Sequence, residues 1–247
     1  MISVIELMNF HTIVLPLVGA YYLLTRIKQL PTTPLLLGLV VWLTTWVQWG
    51  SMYGALQGLL YGLATFGAGV VGVRGPLSMR QWWGASGGAN WRPGLVFWRK
   101  VGLGVVFAAV QVGLGLLVVS VVQLLGGTLP EESVHEVLAR SPWPWAVPIA
   151  AGLAAGIYEE LVYRRLADVW LRRWMPGWGV ALLSSLLWAG THVAGDASSG
   201  YVRMVELGLL IGPLSYWFYR RYGLFPSILA HGFYNSVAVL ISETFLA

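Results

Sequence analysis

Long runs of apolar residues alternate with short polar segments along this chain. A helix that crosses a bilayer needs about 20 apolar residues, and most of the runs approach that length. They cover residues 4–24, 101–125, 178–193, 202–219 and 224–246, and a further run begins near residue 145 and carries two carboxylates. The pattern predicts an all-α fold of membrane-spanning helices.

Residues 35–73 form an apolar run of 39 residues without a single charge. One helix of that length would be about 58 Å long, roughly twice the hydrocarbon thickness of a bilayer. We therefore expect two helices joined as a hairpin, with the turn near Trp49, Gly50 and Ser51. Together with the other runs, this hairpin gives a polytopic bundle of about eight spans.

Composition and charge support a membrane protein. Hydrophobic residues make up 57% of the chain and charged residues only 10%, whereas soluble proteins have about 25% charged residues. Basic segments at residues 26–28, 74–100, 164–173 and 220–221 hold 13 of the 15 Lys and Arg residues. By the positive-inside rule these segments face the cytosol, which leaves both termini and an acidic loop near residues 131–140 outside. We expect a multi-pass protein of the cell membrane with no nucleic-acid partner.

Two adjacent carboxylates, Glu159 and Glu160, interrupt the apolar run that begins near residue 145. Charged groups inside a bilayer are costly and usually functional. On a helix, Glu160 and Arg164 are four residues apart and face each other, so Arg164 can neutralise Glu160 and leave Glu159 available for chemistry. The alternative is that the pair marks the cytosolic rim of a span and reaches water.

Among the polar residues of the later spans, His192, His231 and Asn235 are the further candidates for chemistry. Glu159 lies 17 residues before Pro176 and His192 lies 16 residues after it, so a helical hairpin that turns at Pro176 brings them to one level. His231 and Asn235 are four residues apart and share a helix face. We expect these side chains to meet in one layer near the cytosolic leaflet.

This set of side chains is suited to hydrolysis of an amide bond. A carboxylate beside an imidazole can hold and deprotonate a water molecule, and two converging donors, here His231 and Asn235, suit an oxyanion hole. Ser184 and Ser185 precede His192, but no carboxylate is spaced to orient that histidine for serine catalysis. The chain has no cysteine, which excludes thiol catalysis and disulfides.

The motifs Glu159-Glu160-x-x-x-Arg164, Trp188-x-x-x-His192 and His231-x-x-x-Asn235 resemble those of the CPBP intramembrane proteases. That group includes the type II CAAX prenyl proteases and the Abi or bacteriocin-processing proteins. The resemblance implies that Glu159 and His192 activate water, that His231 and Asn235 form the oxyanion hole, and that Glu160 and Arg164 are a supporting ion pair. Two positions depart from the family pattern, because Phe is more common at Trp188 and Gly at Arg165.

The resemblance divides the chain into residues 1–143, with N-terminal spans and a basic cytosolic loop, and residues 144–247, a CPBP-type catalytic core. The implied substrate is a membrane-associated peptide or protein. No cofactor is expected, although two His and one Glu could hold zinc in a metal-dependent version of the same protease. Two non-proteolytic alternatives are an immunity or scaffold protein that has lost turnover and a proton or ion transporter.

Overall fold

The computed structural model describes residues 10–25, 32–71, 93–125, 141–193 and 201–245, and within them every regular element is a helix. The α-helices are α1 (Phe10–Thr25), α2 (Thr32–Trp49), α3 (Met52–Val71), α4 (Pro93–Leu124), α5 (Val147–Glu159), α6 (Ala167–Leu171), α7 (Gly177–Gly190), α8 (Gly212–Tyr222) and α9 (Leu224–Phe245). A short 3-10 turn, Pro144–Ala146, precedes α5, and two π-helical segments, Glu160–Leu166 and Met204–Ile211, lead into α6 and α8. Most of the predicted basic loop at residues 74–100 and the predicted acidic loop lie outside the described residues.

The predicted fold class, a helical membrane bundle, is confirmed. Four helical segments are long and apolar enough to cross a membrane, namely Met52–Val71, Phe97–Leu124, Pro144–Leu171 and Leu224–Ile241. Shorter apolar helices occur at Ile13–Thr25 and Gly177–Gly190. Where the predicted spans fall on described residues they are helical, but the number of crossings, eight, stays a prediction.

The charge-free run folds as the predicted helical hairpin. The chain turns at Gly50, whose φ of 58° lies in the left-handed region that favours glycine. The two arms, α2 and α3, pack closely at Gly38 and Gly62. A Cβ on Gly62 would lie only 2.7 Å from the carbonyl oxygen of Gly38, so the approach requires glycine at this position. The Trp42 indole also donates a hydrogen bond to the carbonyl of Ala55 at 3.1 Å. This α2–α3 hairpin then packs its α2 arm against α5.

Helix α9 packs against α5 on one side and α4 on the other. The contact with α5 depends on Gly156, where a Cβ would lie 2.7 Å from the carbonyl oxygen of Ile228 and 3.0 Å from the amide nitrogen of Gly232. Glycine therefore permits the two backbones to approach to a distance that a larger residue would prevent. This approach places the carboxylates at the end of α5 against the middle of α9.

The chain changes from α-helix to π-helix between Glu159 and Glu160. Sequence reasoning assumed an α-helical spacing through Arg164, in which residues four apart are stacked. The π-helical pattern of i to i+5 hydrogen bonds widens each turn, and such insertions often occur at functional sites. The two glutamates therefore lie at the junction of two helix geometries, and the side chains beyond it are rotated relative to an α-helix.

Candidate active site

Glu160 is held in the protein interior by three side chains. Its exposed fraction is 1%, and that of Arg164 is also 1%. The guanidinium Nε of Arg164 lies 3.7 Å from Glu160 Oε1, so the predicted pair forms as a charge contact without a hydrogen bond. The hydrogen bonds come from α9, where Ser227 donates to Glu160 Oε2 at 2.6 Å and His231 Nδ1 lies 2.9 Å from Oε1.

Arg164 is stabilised by an aromatic ring rather than by hydrogen bonds. Its Cζ lies 4.8 Å from the ring centroid of Trp188, within the range of a cation–π interaction. Its three guanidinium nitrogens are buried and have no hydrogen-bond partner among the described residues. The charge of Arg164 is therefore balanced by Glu160 at a distance and by the face of Trp188.

His231 lies between the two glutamates. While its Nδ1 contacts Glu160, its Nε2 lies 3.5 Å from Glu159 Oε2. The ring is only 3% exposed and is not part of the lining of the adjacent cavity. Sequence reasoning paired this histidine with Asn235, and of those two residues only Asn235 lines the cavity.

Glu159 lies at the boundary between this buried cluster and the cavity. Its side chain is 16% exposed, against 1% for Glu160, and it accepts a hydrogen bond from the indole N–H of Trp188. Sequence reasoning placed Trp188 in the second motif and noted it as a departure from the family pattern, but gave it no contact. The structure gives its N–H a direct contact with the carboxylate that lines the cavity.

His192 follows the C-terminal end of α7 and lines the same cavity. Its Nδ1 lies 3.0 Å from the carbonyl oxygen of Trp188. A carbonyl can only accept, so Nδ1 of a neutral His192 carries the hydrogen and Nε2 is left as an acceptor. The His192 ring also packs edge-on against Trp188, with centroids 5.4 Å apart.

The cavity has a volume of about 350 Å³ and is lined by residues from both halves of the chain. It brings together three of the sequence-predicted site residues, Glu159, His192 and Asn235. The N-terminal hairpin contributes another wall, which includes Val41, Thr45, Gln48, Trp49, Gln57 and Tyr61. The proposed division of the chain at residues 143 and 144 stays a prediction, and the cavity is shared between the two parts.

Sequence reasoning missed several of these residues, although signals for some of them exist. Ser227 is four residues before His231, the same spacing that pointed to Asn235. Gln48 and Gln57 are the two carboxamide residues of the charge-free run. The indole contact of Trp188 had no signal, because it depends on how α7 packs against the end of α5.

The donor set does not fit a zinc site. In the part of the chain that the structure describes, no group of three or more His, Asp or Glu side chains is arranged to hold a metal ion. Both nitrogens of His231 face carboxylates, and Nδ1 of His192 faces a carbonyl oxygen.

The helical membrane bundle places the buried Glu160 and His231 beside Glu159, which lines a cavity. These features define an integral membrane protein with an embedded acid–base site. Residues 141–237 match the family model described as type II CAAX prenyl endopeptidase Rce1-like, which confirms the predicted resemblance to the CPBP and CAAX protease family over this part of the chain. The match covers about two fifths of the chain and includes all six sequence-predicted site residues. No curated protein and no solved structure matches the chain.

Proposed function

We propose that this CAAX-type protease is an intramembrane endopeptidase that hydrolyses a peptide bond with a water molecule activated by Glu159 and His192. The observation that carries the proposal is the position of Glu159, whose carboxylate borders the cavity that His192 and Asn235 also line. The carboxylate and Nε2 of His192 are both acceptors. A water molecule between them would donate one hydrogen to each and keep a lone pair for the scissile carbonyl carbon.

In the proposed reaction, Glu159 takes a proton from the water as the oxygen bonds to the carbonyl carbon. The oxyanion of the tetrahedral intermediate accepts a hydrogen bond from the Asn235 carboxamide. Glu159 then returns the proton to the leaving amine, and the peptide bond breaks to give a carboxylic acid and an amine. In the resting arrangement, His231 lies between the glutamates and positions Glu159, while the family resemblance also assigns it a share of the oxyanion hole.

The supporting roles follow from burial. Glu160 is surrounded by Arg164, Ser227 and His231, so it is a structural anchor for the imidazole. The proposed substrate is a membrane-associated peptide or protein. This proposal agrees with the description of the matching family as prenyl endopeptidases. The proposed location is the cell membrane, with several spans. The proposed mechanism uses no cofactor.

The test compares peptide termini in membranes from cells with the wild-type protein and cells with Glu159→Gln. Glutamine keeps the shape of the side chain but cannot accept the proton, so the products should disappear. A matched control is Glu206→Gln, because Glu206 is also a buried glutamate, 2% exposed, but pairs with Arg203 at 2.7 Å outside the cavity. Identical termini in wild-type and Glu159→Gln cells, with equal protein levels, would refute the proposal.

A further inference from the structure

The end of α7 leaves a backbone carbonyl available to side chains. Helix α7 ends at Gly190, and just beyond it the amide of His192 bonds to the carbonyl of Ala189 at 2.9 Å. In a continuing α-helix that amide would bond to the carbonyl of Trp188, four residues earlier. The Trp188 carbonyl accepts instead from the Thr191 amide at 3.1 Å, from the Thr191 hydroxyl at 2.7 Å and from Nδ1 of His192 at 3.0 Å.

These contacts determine where the hydrogens lie. A carbonyl oxygen only accepts, so the single hydroxyl hydrogen of Thr191 points to Trp188. The Thr191 oxygen lies 3.2 Å from Nδ1 of His192, and with its own hydrogen already engaged it accepts there. Both partners of Nδ1 are therefore acceptors, and the neutral ring carries its hydrogen on Nδ1 and a lone pair on Nε2.

Tyr163 is the next side chain in this network. It belongs to the π-helical segment that follows Glu159, its side chain is 6% exposed, and it lines the cavity, as Thr191 also does. Its phenol is hydrogen-bonded to the side chain of Thr191. Because the Thr191 hydrogen points to Trp188, the phenol is the donor in this bond. It holds the Thr191 oxygen in place, and that oxygen keeps a second lone pair for His192.

Two hydrogen bonds therefore join the helical segment that carries Glu159 to the end of α7 that carries His192. One runs from the Trp188 indole to Glu159, and the other runs from Tyr163 to Thr191. In the first bond α7 is the donor, and in the second the π-helical segment is the donor. Both bonds involve immediate neighbours of Glu159 and His192, so they fix the carboxylate and the imidazole relative to each other.

We infer that Tyr163 and Thr191 are positioning residues that hold His192 in the orientation and tautomer that leave Nε2 as an acceptor. The inference rests on the proposed function, in which this Nε2 accepts a hydrogen from the attacking water. Sequence reasoning found no carboxylate spaced to orient His192. Two hydroxyls and one carbonyl take the role that a carboxylate has in serine proteases, where it keeps the catalytic imidazole in its working tautomer.

The test removes one hydroxyl at a time with little change of shape. Thr191→Val replaces the hydroxyl by a methyl group, and Tyr163→Phe removes the phenol oxygen. Thr191→Ser keeps a hydroxyl and is the rescue variant. Tyr219→Phe is the matched control for Tyr163→Phe, because Tyr219 is also 6% exposed but its hydroxyl contacts Arg165 at 3.5 Å and it is not part of the cavity lining.

The tautomer is measured on purified protein labelled with nitrogen-15 histidine, at a pH where the imidazole is neutral, because the shifts of protonated and unprotonated ring nitrogens differ. The chain has four histidines, and His192→Gln identifies the signals of His192. Cleavage of a peptide substrate by the same samples gives kcat and KM. The tautomer measurement needs no activity, so it separates positioning from catalysis.

Wild-type protein, Thr191→Ser and Tyr219→Phe should all have the hydrogen of His192 on Nδ1. In Thr191→Val the carbonyl is left as the one acceptor of this network, so the ratio of Nε2–H to Nδ1–H tautomer should rise about threefold to tenfold. We expect kcat to fall by a similar factor with KM nearly unchanged. Tyr163→Phe should change both quantities in the same direction, and adding it to Thr191→Val should cause little further loss, because Tyr163 acts through Thr191.

A wild-type tautomer ratio in Thr191→Val would overturn the inference, as would a wild-type kcat in that variant. Full and additive losses in the double variant would overturn the role of Tyr163, because they would show that it acts independently of Thr191. If the tautomer ratio shifts as expected but wild-type protein cleaves no peptide, the proposed function fails and the positioning of His192 stands.

Discussion

The indole N–H of Trp188 donates a hydrogen bond to the carboxylate of Glu159, which links the second motif to the first. The same ring lies under the guanidinium of Arg164 and packs edge-on against His192 and His231. Trp188 is therefore the side chain that several site residues share. Its position in the site explains why an aromatic residue is suitable there, and the N–H adds a contact that phenylalanine cannot make.

The substitution Trp188→Phe separates these two roles. Phenylalanine keeps an aromatic face for Arg164 but removes the donor to Glu159, and a hydrogen bond to a charged group contributes about 1.5–3 kcal/mol. We expect kcat to fall about tenfold or more with little change in KM. The measurement is steady-state cleavage of a peptide substrate by purified protein, with Trp217→Phe as a control, because Trp217 is 54% exposed and outside the cavity lining. An unchanged kcat would show that the N–H has no role in positioning Glu159.

The two glutamates should respond differently to the same chemical change. Glu159→Gln removes the proposed base and should lower kcat by about 10²–10⁴-fold with little loss of stability. Glu160→Gln leaves Arg164 buried without its counter-charge and should lower the free energy of unfolding by about 3–5 kcal/mol. Thermal unfolding in detergent, measured beside activity, distinguishes the two effects. Equal stability loss in both variants would contradict the division of roles.

Much of the fold could be predicted from hydropathy, because a helix that crosses a bilayer requires an apolar run of about 20 residues. The hairpin turn at Gly50 was predicted because no single helix of that length fits a bilayer. Six candidate site residues were predicted from helical spacing and motif resemblance, but the position of His231 between the two glutamates was not. Its ring lies between Glu159 and Glu160, where the helix changes to π geometry, and no hydrophobic periodicity in the sequence indicates that change.

The wall contributed by the α2–α3 hairpin was also beyond sequence reasoning, because it arises from tertiary packing. Gln57 lines the cavity, and its Oε1 is buried without a hydrogen-bond partner among the described residues. An unpaired buried acceptor of this kind is suited to accept a hydrogen bond from a backbone N–H of the substrate.

We expect Gln57→Leu to raise KM about threefold to tenfold and to leave kcat nearly unchanged. A matched control is Gln48→Leu, since Gln48 lines the cavity but its amide contacts the Thr44 carbonyl at 3.4 Å. If Gln57→Leu has wild-type KM, the hairpin wall does not contact the substrate.

Removal of metal ions should leave the enzyme active. No three His, Asp or Glu side chains of the described residues converge as metal ligands, and the proposed mechanism uses Glu159, His192 and Asn235 directly. The measurement is activity after dialysis against a chelator, with the metal content of the same sample determined independently. Loss of activity that zinc restores would establish the zinc-dependent alternative.

The approach of α5 to α9 is the packing feature on which the site depends, and Gly156 tests it. A Cβ at this position would meet the Ile228 carbonyl oxygen at 2.7 Å and the Gly232 backbone at 3.0–3.1 Å. Because these are backbone atoms, the helices must separate, and overpacking of this kind costs about 1–3 kcal/mol. We expect Gly156→Ala to lower both the unfolding temperature and kcat, since Glu159 and Glu160 would move away from His231.

Gly102→Ala is the matched control, because nothing lies within 4 Å of a Cβ there. Alanine in an open helical position should be neutral or stabilising by about 0.4–1 kcal/mol. If both variants keep wild-type kcat and stability, close contact between α5 and α9 is not what holds the carboxylates against the imidazole.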